Sequence, residues 1–555
     1  MPLVDLWLEK EIGLAVSKKI KDLTGQQPEW SRRASDANPL FAATLPNRFV
    51  AVVPACSTGK IIESVRSSIR SFVDRISERL IEELSDMTSL PLEQARQQMK
   101  RQFADFPEVY WAQVPWDVCT RGDDRQLRQL LGTLGASGDY LDAALLDVLR
   151  EGISATVEGR NVEFYKPNEG AYYPGLYESL ERLHAATKSA REFSGGEEAG
   201  YRCSICGERE WLTHDVSLLS KPRSSVSVTL WSKSAEEVKG LVKDNECLCA
   251  LCALKRLWPR LVIKELNERG VLADEDKDIR SFFVSTHTMA IAATVERHLE
   301  GKVKPEDAAK RNTAASKLDK VGTERSAWPQ RTYVQITESD RDTDEKRLIL
   351  GLPVVVEKLS EIEDDDTREK IDTDKLIEDY LGEKPEKYYG LVIMDGDRMG
   401  AWLSGEAAST AIGDSFHEKP RALLEQLGLK HYLQCKRPLS PAWHQTLSAA
   451  LNDFSVSLAR TIVERLFAGK LIYCGGDDLL AMTTVTDLPE LMLALRCAWS
   501  GHVPRQLNDW WQNLTKRKLQ NTNLQIKLGQ GYAWLRSGNN SNLLRLMGPR
   551  SSASM

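Results

Sequence analysis

The sequence predicts an α+β fold in which short strands carry acidic turns and helices make up much of the remaining chain. Three patterns indicate this fold: two short apolar runs that flank Gly-Gly-Asp-Asp at 475–478, an earlier apolar run that ends at an aspartate, and long stretches with helical spacing. The acidic turns are the most informative part of the chain, because they indicate chemistry as well as structure.

The Gly-Gly-Asp-Asp sequence is predicted to form the turn of a β-hairpin, since apolar residues precede and follow it. Gly475 and Gly476 allow a tight turn and leave room for a phosphate to approach. Asp477 and Asp478 offer hard oxygen ligands, which suit Mg²⁺ or Mn²⁺ carrying a nucleotide triphosphate. An ordinary hairpin with polar turn residues stays open as the alternative, because glycine and aspartate are common in turns.

A second predicted strand, at 389–394, ends beside another acidic turn. The turn residues that follow it are Asp395, Gly396, Asp397, Arg398, Met399 and Gly400. The aspartate after the strand would bind metal, and the backbone N–H groups of the turn would face a phosphate at the start of a helix. A helical stripe at 447–466 lies between the two motifs. A βαβ unit with a right-handed crossover would place Asp395 beside Asp477 and Asp478 in one metal cluster.

The cysteines predict a structural zinc site. Cys203 and Cys206 form one Cys-x-x-Cys pair, and Cys249 and Cys252 form a second. Two such pairs supply the four thiolates of a tetrahedral zinc site. Cys247 stays open as an extra candidate, and Cys247 with Cys249 is an alternative choice of ligands. Disulfides are not expected, because no signal peptide is visible and a reducing compartment is therefore predicted.

Length and composition predict a large cytoplasmic protein. A chain of 555 residues is expected to hold about three or four domains. No run of residues reaches the roughly 18 apolar positions that a membrane span needs, so no membrane association is expected. The net charge of −6 means that contact with nucleic acid would need local basic patches.

The order of these motifs resembles the palm domain shared by nucleotide cyclases and polymerases of the Gly-Gly-Asp-Glu-Phe type. The departure is Asp478, where diguanylate cyclases carry Glu. The combined pattern of Asp-Gly-Asp-x-Met-Gly, Gly-Gly-Asp-Asp and four cysteines is similar to the large subunit of type III CRISPR effector complexes, and most of all to the Cmr-type subunit. The segments at 172–177 and 285–287 also resemble that family.

The resemblance implies two ferredoxin-like palm domains with a helical, zinc-containing region between them. The first implied domain, at 1–195, is palm-like, with a helical insertion and without its first strand. A four-cysteine zinc element follows at 196–260, and a helical region with a flexible charged linker at 261–385. The second palm domain, at 386–555, carries the Gly-Gly-Asp-Asp hairpin and is shortened at its C-terminal end. The linker is placed at 301–346, where Lys, Asp, Glu and Thr are frequent.

The resemblance also implies an enzyme of antiviral defence that works in an RNA-guided complex. A guide RNA would pair with a target RNA, other subunits would complete the complex, and the palm would condense ATP into cyclic oligoadenylates. Asp395, Asp477 and Asp478 would be the catalytic residues and would hold Mg²⁺ or Mn²⁺. The ATP-binding residues would be Gly396, Asp397, Arg398, Met399, Gly400, Gly475 and Gly476. No general base is identified.

Two other functions stay open on the sequence alone. One is a catalytically inactive scaffold that binds RNA and other subunits, and the other is a stand-alone nucleotide cyclase. Many members of the family also carry an HD-type nuclease, but the pair His214-Asp215 lies in the zinc region without further histidines around it. It is interpreted as structural, and no HD nuclease is expected. The palm histidines, at 417, 431 and 444, are interpreted as structural too.

Overall fold

The computed structural model describes most of the chain between residues 15 and 519. The described ranges are 15–25, 48–119, 123–142, 150–165, 169–191, 200–222, 225–237, 246–270, 283–320, 326–361, 372–405, 411–436 and 439–519, with residues 10, 13, 146, 198 and 242 between them. The sequence Leu-Gln-Ile-Lys-Leu also predicts a strand at 524–528, which lies outside the described residues, as do residues 1–7 and 537–555. Among the helices described, none combines the length and the hydropathy of a membrane span.

Helices dominate the described part of the first 195 residues. They are α1 (Val16–Thr24), α2 (Thr58–Thr88), α3 (Glu93–Gln102), α4 (Arg125–Thr133) and α5 (Tyr173–Ser189). The antiparallel strands β1 (Ile153–Val157) and β2 (Arg160–Tyr165) form a two-stranded sheet of their own. This hairpin does not amount to a palm sheet within the described residues, so the first palm-like domain stays a prediction.

The four-cysteine region packs against α2 and α3 in one hydrophobic core. Its helices are α6 (Leu230–Glu237) and α7 (Ala250–Glu268). Leu80 and Leu84 of α2, Met99 of α3, and Trp211 and Trp231 of the cysteine region are buried together. The region therefore shares its core with helices that come more than a hundred residues earlier in the chain.

Two glutamines of α3 join it to the backbone of the cysteine region. The side-chain amide of Gln98 donates to Trp211 O at 3.0 Å, and its carbonyl oxygen accepts from Thr213 N at 2.9 Å. Gln102 bonds to Glu210 O and to Ala250 N in the same way, each at 2.8 Å. Both side chains are buried, so these bonds satisfy backbone groups that water cannot reach.

The region between the cysteines and the second sheet is helical. Its helices are α8 (Thr286–Leu299), α9 (Ala308–Lys320), α10 (Gln330–Glu338), α11 (Thr343–Glu361) and α12 (Thr373–Leu381). The prediction of a flexible charged linker at 301–346 is therefore wrong for the residues described there. Ala314, Leu318, Trp328 and Ile336 are buried in one core, and the charged residues that dominate the composition lie mostly on the outer faces of these helices.

The second sheet has three antiparallel strands in the order β3-β5-β4. The strands are β3 (Tyr389–Met394), β4 (Gly469–Gly475) and β5 (Asp478–Thr484). The central strand β5 pairs Leu479 with Met394 of β3 and with Cys474 of β4. The strand predicted at 389–394 and the predicted Gly-Gly-Asp-Asp hairpin are thus confirmed, and together with the helices they form the predicted α+β fold.

Helices connect and cover these strands. They are α13 (Met399–Leu403), α14 (Glu418–Gln426), α15 (Lys430–Gln434), α16 (Pro441–Asp453), α17 (Leu488–Ser500) and α18 (Asn508–Leu519). After α16 the helix continues in the wider π-helical turns of Phe454–Ala459 and Thr461–Leu466. The apolar stripe predicted at 447–466 contributes Phe454, Ile462 and Leu466 to the core against the sheet. These helices connect β3 to β4, which lies in the same sheet on the other side of β5.

A buried ionic network joins the helical region to this sheet domain. The Arg331 guanidinium on α10 bonds to both oxygens of Glu296 on α8, to Asp487 at 2.8 Å and to Leu466 O at 3.2 Å. The Thr332 hydroxyl donates to Glu296 at 2.9 Å. Glu296 is buried, and the side chains of Arg331 and Asp487 are only 13% and 12% exposed, so the attraction between these charges is weakly screened.

We expect Arg331→Ala to cost roughly 3–5 kcal/mol of stability, because the buried Glu296 and the mostly buried Asp487 would lose their cation. The matched control is Arg347→Ala, which removes a more exposed pair with Asp319 and should cost about 0–1 kcal/mol. Calorimetric unfolding of both variants measures the difference. Equal unfolding temperatures for the two variants would contradict the importance given to the network.

Candidate metal and nucleotide site

Three carboxylates meet at one end of the second sheet. Because Met394 pairs with Leu479, the residue after β3 lies at the same end as the turn between β4 and β5. One side-chain oxygen each from Asp395, Asp477 and Asp478 lies within 4.8 Å of the others. Two separate strand ends therefore supply one set of oxygen ligands, of the kind that Mg²⁺ or Mn²⁺ prefers.

The electrostatics of this end of the sheet suit a cation. Local desolvation, the charge of Asp477 and a hydrogen bond with Asp395 raise the pKa of Asp478 above its ordinary value. Asp395 and Asp478 are exposed and Asp477 is half-buried, so an ion from solvent can reach all three. A bound cation would relieve the repulsion between the carboxylates, and the residues present therefore fit a divalent metal.

The glycines shape the two turns in different ways. Gly476 begins the two-residue turn with a φ of +67°, which glycine adopts without strain. Gly396 is buried, and a Cβ there would lie 2.7 Å from Met399 Cγ and 2.8 Å from Asp477 Cβ. Gly475 is buried too, with the hydroxyl of Tyr473 2.7 Å from where its Cβ would be. Gly396 thus lets the two acidic turns lie in direct contact.

The turn after β3 leads into a helix of a single turn. Arg398 has a φ of +54°, in the left-handed region, and α13 starts at the next residue. Asp397, Arg398 and Gly400 are exposed, and Met399 is half-buried against Gly396. The ATP-binding residues expected from the sequence therefore lie in the two turns that carry the carboxylates, and Gly396 contacts Asp477 directly. Their roles remain predictions.

We expect Gly396→Ala to weaken divalent-metal binding on the order of tenfold or more, because the new Cβ would push Asp477 away from the other carboxylates. Gly400→Ala is the matched control, since a Cβ at Gly400 meets no atom within 4 Å in the described structure. Titration with Mn²⁺ in the absence of nucleotide, followed by electron paramagnetic resonance, measures both variants. Unchanged Mn²⁺ affinity in Gly396→Ala would show that this contact does not shape the site.

The four predicted cysteines also come together. The sulfurs of Cys203, Cys206, Cys249 and Cys252 lie within 4.8 Å of one another, and those of Cys206 and Cys249 are 3.7 Å apart. Four sulfurs about 2.3 Å from one zinc ion would stand roughly 3.8 Å apart, so the spacing fits a tetrahedral site. Cys247 is buried nearby, but its sulfur is outside this group. The sulfur positions therefore favour Cys249 with Cys252 over the alternative of Cys247 with Cys249.

Short backbone hydrogen bonds form the two cysteine turns and join them. Gly207 N donates to Cys203 O at 3.0 Å in the first turn, and Ala253 N donates to Cys249 O at 2.8 Å at the start of α7. Ser204 N donates to Cys247 O at 2.9 Å between the turns. Hydrogen bonds from the Cys249 thiol and from backbone amides lower the pKa of Cys203 to about 4. Burial raises the pKa of Cys252 to about 12, so a cation must displace protons when it binds.

Aromatic residues beside α13 did not stand out in the sequence as parts of a site. Tyr173, Tyr177 and Trp443 form a small buried cluster with Trp402 of α13, and His444 lies between the two tyrosines and the helix. In the sequence, the segment at 172–177 shows only a resemblance to the type III large subunit and no sign of a site. No spacing rule connects it with a histidine more than 250 residues later, so only the folded chain reveals the contact.

Comparison with known proteins gives a family match for the part of the chain that carries the acidic turns. Residues 388–523 match the family described as "Cas10/Cmr2, second palm domain". The chain is also 23% identical over 461 residues to a protein described as "CRISPR system Cmr subunit Cmr2" from Pyrococcus furiosus. That match covers 82% of this chain and 46% of the relative, so the chain spans about half the length of the curated relative.

Two solved structures show a weaker similarity. One is titled "Type III-B Cmr-beta Cryo-EM structure of the Apo state"; it is 16% identical, with a TM-score of 0.39, over 68% of this chain and 47% of that one. The other is titled "Cryo-EM structure of the Type III-B Cmr-beta bound to cognate target RNA"; it is 15% identical, with a TM-score of 0.48, over 90% of this chain and 56% of that one. The family match and the curated relative confirm the predicted resemblance to the Cmr-type large subunit.

Proposed function

We propose that this chain, as a relative of the Cmr-type large subunits with a Cas10/Cmr2 second palm domain, acts in a type III RNA-guided antiviral complex and condenses ATP into cyclic oligoadenylates. The observation that carries the proposal is the meeting of Asp395, Asp477 and Asp478 from two strand ends. Nucleotide condensation needs such a set of oxygen ligands, because negative charge develops on both the attacking and the leaving oxygen.

The proposed reaction joins two ATP molecules at a time. The 3′-hydroxyl oxygen of one attacks the α-phosphorus of the other, the bond between the α-phosphorus and its bridging oxygen breaks, and pyrophosphate leaves. The hydroxyl proton passes to solvent or to a phosphate oxygen. Repetition of this step, with a final closure between the two ends, gives a ring. Mg²⁺ or Mn²⁺, when bound, would lower the pKa of the attacking hydroxyl and neutralise the leaving pyrophosphate.

The side chains of the site would divide this work. Asp395 holds its position as the residue directly after β3, and Asp477 and Asp478 hold theirs in the hairpin turn, so the ligands come from rigid strand ends. The exposed turn from Asp397 to Gly400 would lie along the triphosphate. Gly476 carries no side chain and has no atom within 4 Å of its Cβ position, which would leave space for the nucleotide beside the carboxylates. Gly475, which is covered by the Tyr473 hydroxyl, would serve the nucleotide through its backbone.

The same proposal gives the four cysteines one structural zinc ion. Their sulfur spacing fits a tetrahedral site, and three of the four are at least partly buried in the core shared with α2 and α3. Such a site would stabilise the fold and take no part in the reaction. A cytoplasmic location is part of the proposal, because cysteines grouped as metal ligands are more typical of reducing compartments.

Other subunits, a guide RNA and a target RNA would be the partners of this chain. The domain division proposed with them keeps the zinc element at 196–260 and the second palm from 386 onward. The first palm-like domain at 1–195 is part of the proposal as well. A net charge of −6 implies that RNA contacts would come through local surfaces and through the other subunits.

The test is product analysis with a reconstituted complex that contains this chain, guide RNA and cognate target RNA. With ATP and Mg²⁺ or Mn²⁺ we expect cyclic oligoadenylates, and with GTP alone we expect none. Cyclic diguanylate from GTP would favour a stand-alone cyclase of the diguanylate type. An assembled complex that binds target RNA and yields no nucleotide product would favour the inactive scaffold.

A further inference from the structure

The helix that follows the acidic turn after β3 is held in place by two side chains from α16. The indole N–H of Trp443 donates to Trp402 O at 3.0 Å, and His444 Nε2 lies 2.8 Å from Leu403 O. The rings of Trp402 and Trp443 are stacked, with an interplanar angle of 7°. Both contacts reach carbonyl groups at the C-terminal end of α13, where the regular helical hydrogen bonds run out. Trp402 O accepts from Gly405 N at 3.2 Å as well.

This support matters because α13 is too short to hold its own shape. It contains five residues, a little more than one turn, and isolated helices of that length are unstable in water. Its position therefore depends on the contacts at its end. The acidic turn runs directly into it, so any movement of α13 also moves Asp397 and Arg398.

The far side of His444 is bonded to a residue outside the palm. The hydroxyl of Tyr173, at the start of α5, lies 2.8 Å from His444 Nδ1. Because Leu403 O can only accept, Nε2 carries the proton and donates, and Nδ1 of the neutral ring accepts from the tyrosine hydroxyl. The ring of Tyr177 packs on the imidazole with centroids 4.3 Å apart. The imidazole is thus fixed in tautomer and in orientation.

We propose that His444 is a positioning residue for the nucleotide turn, and that Tyr173 sets its orientation from the N-terminal part of the chain. This inference rests on the proposed function for the identity of the nucleotide. The turn that receives the triphosphate would be held from two sides, by β3 through Asp395 and by the α5 segment through His444 and α13. Loosening the second support should weaken ATP binding more than it slows the chemical step.

Three variants separate the parts of this arrangement. His444→Leu keeps the bulk of the ring and removes both hydrogen bonds. His444→Gln keeps a side-chain N–H that can donate to Leu403 O. Tyr173→Phe removes only the hydroxyl, and Tyr172→Phe is its matched control, because the buried Tyr172 hydroxyl has no hydrogen-bond partner among the described residues.

The first measurement is hydrogen–deuterium exchange of the amides at 399–405 in the full-length protein. We expect on the order of tenfold faster exchange in His444→Leu, a smaller increase in Tyr173→Phe, and near wild-type exchange in His444→Gln and Tyr172→Phe. Exchange at 58–102 serves as the control for overall folding. Unchanged exchange at 399–405 in both His444→Leu and Tyr173→Phe would overturn the proposal.

The second measurement is ATP binding and turnover by the same variants in the assembled complex. We expect the KM for ATP to rise on the order of tenfold in His444→Leu, with kcat changed much less, and to return toward wild type in His444→Gln. A fall in kcat with an unchanged KM would overturn the positioning role. If wild type neither binds nor converts ATP, the proposed function fails, whereas the exchange experiment still decides whether His444 anchors α13.

Discussion

Replacing Asp477 and Asp478 together with alanine should abolish nucleotide condensation while the protein still folds and assembles. Both residues lie at the end of a hairpin, half-buried and exposed, so their removal leaves no cavity in the core. They supply two of the three oxygen ligands that meet within 4.8 Å. We expect product formation to fall on the order of a thousandfold or more, because the developing charges would lose their counter-ions.

The matched control is Glu490→Ala, which removes an exposed carboxylate of α17 in the same domain and should leave the rate unchanged. Asp395→Ala should cause the same loss as the double variant, because Asp395 reaches the same ligand set from the neighbouring strand. The assay is formation of cyclic oligoadenylates by the complex with ATP, Mg²⁺ or Mn²⁺ and target RNA. Wild-type product levels in the double variant would place the chemistry elsewhere.

Without metal, the double variant of Asp477 and Asp478 should be at least as stable as wild type, although it loses activity. A raised pKa at Asp478 means that the folded state disfavours its charged form, so the folded protein binds protons more tightly than the unfolded chain. That group is unfavourable once it ionises, and its cost to stability grows as the pH rises through the raised pKa. The metal-free double variant should therefore unfold at the same temperature as wild type, or slightly higher, at pH 7.

Replacing Cys203 and Cys252 with serine should remove bound zinc and unfold the region around it. Wild type should contain about one zinc per chain by metal analysis, and the double variant almost none. The loss of stability should be large, because structural zinc contributes on the order of 10 kcal/mol of folding free energy in small zinc domains. The core shared by Cys203, Trp211 and α2 means that the damage should extend into the helices.

Cys247→Ser is the matched control for the zinc ligands. Cys247 is buried two residues before Cys249, but its sulfur lies outside the group of four. Its substitution should leave the zinc content at wild-type level, with at most a modest loss of stability. Full zinc retention in the double variant Cys203→Ser, Cys252→Ser would show that these four cysteines do not form a zinc site. Zinc loss in Cys247→Ser would mean that the ligand set has been assigned wrongly.

Much of the second palm could be predicted from local sequence. Alternating apolar runs next to Gly and Asp define β3, β4 and β5, because strand and turn preferences act over a few residues. The meeting of Asp395 with Asp477 was predicted from a crossover that returns the chain to the same sheet, because few topologies connect such strands. The grouping of the four cysteines could also be predicted, because paired Cys-x-x-Cys spacing reflects the ligand geometry of one metal ion.

The parts that could not be predicted depend on contacts between distant residues. The segment at 301–346 was expected to be a linker because its composition is charged, yet a few apolar residues at helical spacing are enough to bury one face. The links from Arg331 to Asp487 and from Tyr173 to His444 join residues far apart in the chain. Neither link can be seen as a pattern in the sequence, because the two partners of an ion pair or of a tyrosine–histidine hydrogen bond can be any number of residues apart.

The two glutamines of α3 have a consequence for how the protein is made. The Gln102 side chain donates to Glu210 O and accepts from Ala250 N, and Ala250 is 148 residues further along the chain. At about 5–20 residues per second, a ribosome needs on the order of ten seconds to synthesise that stretch. During this interval α2 and α3 can pack on each other, but the part of their core that the cysteine region supplies, including Trp211 and Trp231, is missing. The core of the early helices is thus completed only after the fourth of the clustered cysteines, Cys252, has been synthesised, and until then apolar side chains of α2 and α3 remain exposed.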